Sequence, residues 1–145
     1  MSTYSTPASR GGFAEPTVRS QASSPARQAQ RILHVGYAVL PIVAGLDKFF
    51  HLLTNWDQYL APAVSSMLGG RGHEFMLAVG VIEIVAGIGV ALKPRLFAWV
   101  VAGWLGGIIV NLLLIPGFFD IALRDFGLML GAIALARLSA HSATD

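Results

Sequence analysis

An apolar run over residues 32–53 is broken by Gly45-Leu46-Asp47-Lys48-Phe49-Phe50-His51, which sets two adjacent charges and a histidine inside it. As a helix rising 1.5 Å per residue, that run spans about 33 Å, enough to cross the hydrocarbon core of a bilayer. A charge at the centre of such a helix costs about 2.5–3.5 kcal/mol on insertion scales, so it needs partners. The later apolar runs offer Glu83, Asn111, Asp120, Arg124 and Asp125. The chain therefore has to be a membrane protein with a buried polar cluster. Pro41 lies inside the first run and leaves the carbonyl of Tyr37 without its helical donor, so a kink is expected there.

Composition agrees with this class. Only 12% of the 145 residues are charged and 54% are hydrophobic, against roughly 25% charged in a soluble domain. A net charge of +2 without a basic stripe excludes a nucleic-acid partner. With no cysteine there are no disulfides, thiolate metal sites or Cys-ligated iron–sulfur clusters.

Along the chain, residues 1–30 are polar and rich in Ser, Gln, Arg and Pro, and read as a disordered tail. An organelle transit peptide is a weaker reading, because Gly11-Gly12 and the prolines break any amphipathic helix. Three further spans are expected at about 74–92, 96–115 and 118–138, followed by a short polar tail at 139–145. The 54–72 connection carries Trp56 and Tyr59, rings that favour the headgroup level, and a short interfacial helix over 59–68. The fold class is thus all-α, a four-transmembrane-helix antiparallel bundle with short connections. Arg10, Arg19, Arg27, Arg31, Lys93, Arg95 and Arg137 fall on one side, which places both termini in the cytoplasm.

Counting 1.5 Å per residue from the outer helix ends puts Asn111 about 6 Å deep, Asp47 and Arg124 about 9 Å and Glu83 about 14 Å. Each helix then contributes a polar group to one layer. Asp47 and His51 share a face, as do Asp120 and Arg124. Glu83 shares its face with Gly80, Ala86 and Gly87, residues small enough for close helix packing. Gly103-x-x-x-Gly107 and Gly127-x-x-x-Gly131 suit tight packing within the bundle or between protomers of a homo-oligomer. Lys48 can pair inside or snorkel to the interface. Asp47, Glu83, Asp120 and Asp125 outnumber Lys48 and Arg124, and such a surplus takes up protons or admits a cation.

The binding candidates are therefore Asp47, Lys48, His51, Glu83, Asn111, Asp120, Arg124 and Asp125. Each also has a plainer reading as an ion pair or hydrogen bond that fixes the helix arrangement. Glu83 is the sharpest, being mid-span with no charged neighbour in sequence. His51 has no second histidine at ligand spacing, so no metal site is read there, and His34 reads as interfacial. Trp99 and Trp104 read as packing and belt residues. No nucleophile–base arrangement, phosphate loop or zinc motif is present, so no catalytic residue is assigned.

The four-span layout, Gly45-Leu46-Asp47-Lys48-Phe49 closing the first span and Glu83-x-x-x-Gly87 in the second resemble the DoxX-like family of small bacterial membrane proteins over about 32–138. The resemblance implies an accessory or quinone-interacting subunit of a membrane redox complex, not an enzyme on its own. It also implies a soluble or membrane oxidoreductase partner besides the lipid. Quinone is then the possible cofactor, its headgroup in the polar layer and its proton exchanged by His51 or Glu83. The bacterial inner membrane is the implied location, with an organelle inner membrane as the alternative. Two other functions stand beside it: a small proton-coupled transporter acting as an oligomer, and a structural or assembly subunit of a larger complex.

Overall fold

A computed structural model describes residues 24–141, so the expectation of disorder over 1–23 lies outside the described residues. Helix α1 (Pro25–Phe50) begins inside the stretch expected to be tail. Its start is well encoded: the Ser24 hydroxyl accepts from Arg27 N–H, and Pro25 occupies a first-turn position where its missing donor does no harm. The helix runs continuously through Pro41.

Although residues 52–53 are leucines, α1 ends at Phe50. His51 turns into the left-handed region at φ 53° while its N–H still donates to Asp47 O at 2.7 Å. The Asp47 carboxylate then takes the next free amides: Oδ1 accepts from Leu52 N at 2.9 Å and from Leu53 N at 3.0 Å. A side chain that satisfies these donors competes with helix continuation. Asp47 is thus the stop signal of the first span, and the span is shorter than the apolar run.

A 3-10 turn (Trp56–Tyr59) and a short helix α2 (Pro62–Met67) fill the connection, close to the interfacial helix expected there. Helices α3 (Gly72–Leu92), α4 (Pro94–Leu113) and α5 (Phe119–His141) follow. Among the described residues, α1, α3 and α4 are long and apolar enough to cross a membrane. Large apolar side chains such as Val39, Val85, Ile88 and Val110 face outward on them, as lipid-facing surfaces require. Helix α5 has the length but carries Asp120, Arg124, Asp125 and Arg137 and does not join that set.

Helix α1 packs chiefly on α3, and α4 chiefly on α5. The α1–α3 contact is close because glycines meet there. A methyl added at Gly45 would lie 2.5 Å from the carbonyl oxygen of Gly80, and one at Gly87 would lie 2.7 Å from that of Ala38. Gly80 and Gly87 are among the small residues that share a face with Glu83. Gly103, Gly107 and Gly127, by contrast, have nothing within 4 Å of an added methyl, so the Gly103–Gly107 pair does not tighten the monomer, whereas Gly131 does, by admitting the Tyr37 ring of α1 against α5.

The apolar core is built from small residues around Tyr37, Val90 and Leu135, with Ala86, Ala98 and Ala132 filling between them. The Tyr37 hydroxyl donates to the carbonyl of Leu128, and His34 Nε2 lies 2.9 Å from Val90 O. Toward the 51–73 connection the packing opens and the polar groups gather.

Candidate functional site

Lys48 and Glu83 form the centre of the site. Both are buried, at 3% and 9% exposure, and Lys48 Nζ lies 2.6 Å from Glu83 Oε2. The close α1–α3 contact at Gly45 and Gly80 brings them together, one helical turn from each glycine. Lys48 therefore points inward instead of snorkelling. Its ammonium also sits 3.8 Å from the centre of the Trp56 ring, a favourable place for a desolvated cation.

Trp56 is held by its own nitrogen. The indole N–H donates to Asp47 Oδ2 at 2.7 Å, so Asp47 both ends α1 and positions the ring that covers Lys48. With three N–H donors on its two oxygens, the Asp47 carboxylate is satisfied without a cation.

A cavity of about 470 Å³ opens beside this pair. Lys48, Glu83, Asn111, Arg124 and Asp125 all line it, and most of the remaining wall is apolar, with Leu40, Val79, Leu105 and Ile108 among its members. Asp125 is buried and lies 3.6 Å from Nε of Arg124, whose own side chain is largely exposed. Asn111 acts as a clamp: its Oδ1 accepts from Ala61 N at 3.0 Å and its Nδ2 donates to Tyr59 O at 2.6 Å. It thereby ties the connection to the end of α4.

Trp104, also in the cavity wall, adds an unspent donor. Its Nε1 is buried and turned toward the Glu83 carboxylate without completing a well-formed hydrogen bond to it. A buried N–H left unpaired costs about 1–3 kcal/mol, so a ligand acceptor here would recover that cost.

Two sequence candidates fall outside this arrangement. Asp120 is exposed in the first turn of α5, where a carboxylate suits the helix dipole. His51 is exposed beyond the end of α1 and stacks on His73 at a ring separation of 5.8 Å. Neither lines the cavity. Asp47 joins it only through Trp56.

The residues that sequence reasoning passed over are Trp56, Trp104, Asp57 and His73. The two tryptophans read as interfacial or packing because composition shows an indole's amphipathic character and not its hydrogen-bond partner. An open cleft of about 780 Å³ at the far end is lined by Lys93, Arg95 and Arg137, the cations that set the expected orientation. No family model matches the chain, and no curated protein or solved structure matches it either.

Proposed function

We propose that the chain is a membrane-embedded subunit that holds a small, largely apolar molecule with a hydrogen-bonding head, a quinone being the class that fits best. One observation carries this: an apolar cavity whose inner wall holds a buried ion pair, a buried carboxylate and an unpaired indole donor. Apolar walls with a few convergent polar groups are the usual form of a small-molecule site. In this reading Trp104 donates to a quinone carbonyl, and Glu83 or Asp125 exchanges protons with the bound head. His51 drops out of that role because it is outside the cavity.

The remaining elements of the proposal follow from the sequence. Helix α5 serves as the fourth span of an antiparallel bundle, with Asp125 buried against the cavity and Arg124 at its exposed rim. Both termini lie on the cytoplasmic side, where Lys93, Arg95 and Arg137 share the open cleft. A DoxX-like subunit of a bacterial inner-membrane redox complex, working with an oxidoreductase partner, is the matching description. The proton-coupled transporter draws less support, because its carboxylate surplus is mostly spent: Asp47 on N–H donors, Glu83 on Lys48 and Asp125 on Arg124.

Purification from native membranes in mild detergent, with mass spectrometry of extracted lipids and bound proteins, tests this. Retained quinone near one per chain, or a stoichiometric oxidoreductase, is the expected result. A homo-oligomer carrying neither contradicts the proposal.

A further inference from the structure

We propose that His51, Asp57 and His73 form a three-ligand site for a divalent transition-metal ion of the zinc class, at the exposed end of α1 and α3. The three residues come from three elements: the cap of α1, the 3-10 turn and the first turn of α3. One ligand atom from each lies within 4.8 Å of the other two. Tetrahedral zinc with bonds of 2.0–2.2 Å needs ligand atoms about 3.3–3.6 Å apart, so any separation near the 4.8 Å limit must contract by about 1 Å while the 2.9 Å His73–Asp57 pair opens slightly. Partly exposed side chains can make that adjustment by rotating.

The local geometry already leans toward ligation. His73 Nδ1 lies 2.9 Å from Asp57 Oδ2, and the two imidazoles stack with an interplanar angle of 21°. Asp57 Oδ1 is buried and has no hydrogen-bond partner, an unsatisfied oxygen that a cation would satisfy. Two imidazole nitrogens and one carboxylate oxygen suit zinc, nickel, cobalt or ferrous ions, and the absence of a thiolate disfavours cuprous copper. Three protein ligands leave a fourth position open for water or an incoming group.

The site also has a consequence inside the protein. Asp57 is the next residue after Trp56, whose ring covers Lys48 and helps to wall the cavity. An ion joining Asp57 to His51 and His73 would pin that turn against both helices. The proposal stands without the quinone reading, since none of its three ligands lines the cavity.

The test is metal binding by full-length, untagged protein in detergent, with Zn²⁺ followed by calorimetry and Co²⁺ by visible absorption. One ion per chain with a tetrahedral cobalt spectrum is expected, together with a rise of several degrees in Tm on adding Zn²⁺. His51→Gly keeps the left-handed cap, where glycine is at ease, so its effect on binding is separable from folding. His51→Gly, Asp57→Asn and His73→Gln should each weaken binding at least about tenfold, by loss of a ligand, and His34→Ala should leave it unchanged. Saturating Zn²⁺ or Co²⁺ without stoichiometric binding, or binding that His51→Gly and His73→Gln leave intact, would overturn the assignment.

Discussion

Lys48 Nζ lies 2.6 Å from Glu83 Oε2 in a position that solvent barely reaches. The pair joins α1 to α3 beside the cavity, so its energetics can be measured separately from any ligand. Removing one partner strands a buried charge, which costs about 3–5 kcal/mol, whereas replacing both by apolar groups of similar size is near neutral. Glu83→Leu and Lys48→Met should each destabilise the protein strongly, and the double variant should recover most of the loss. A double-mutant cycle in detergent unfolding checks this. Additive single effects would show that the pair is not formed.

Asp47 makes a different prediction, because its bonds are to neighbouring amides and an indole. Asp47→Ala leaves the Leu52 and Leu53 amides and the Trp56 nitrogen without their acceptor, at about 1–3 kcal/mol for each group that stays buried. Hydrogen exchange at Leu52 and Leu53 should accelerate, with exchange in the core of α4 little changed. Asp47→Asn should retain part of the protection through its remaining carbonyl acceptor.

At the α1–α3 contact, helix propensity and packing oppose each other. Gly45→Ala and Gly80→Ala place methyls 2.5 and 2.8 Å from the facing carbonyl oxygens, and overpacking of this kind costs about 1–3 kcal/mol. Gly36→Ala meets nothing within 4 Å, so it should be neutral or gain about 0.5–1 kcal/mol from helix propensity. Thermal unfolding of the three variants side by side separates the two effects.

Much of this arrangement is written locally. Hydropathy alone marks α1, α3 and α4, and the 3.6-residue period puts Gly80 and Gly87 on the face of Glu83. The charges of α5 defeat the same test, because hydropathy cannot distinguish a residue facing lipid from Asp125 buried against a cavity or Arg124 at its rim. The destinations of Asp47 and Lys48 are not local either. They are adjacent in sequence, yet one turns back to cap its own helix and the other crosses to α3. His51 caps the end of α1 and His73 lies in the first turn of α3, with no motif spacing between them, so their stacking follows from the fold alone. Trp104 is a packing residue in composition, and only the position of its nitrogen makes it a donor.

The central claim is a cavity that binds a quinone-like head through the Trp104 donor beside Lys48 and Glu83. Its most direct test is equilibrium binding of a short-chain benzoquinone to the full chain in detergent, comparing wild type with Trp104→Phe. Phenylalanine keeps the aromatic wall and removes only the N–H. Saturable one-to-one binding, weakened about fivefold to tenfold by Trp104→Phe as expected for one lost hydrogen bond, with Tm unchanged or raised, is the predicted result. No saturable binding by the wild type, or equal affinity in the two proteins, would contradict the account.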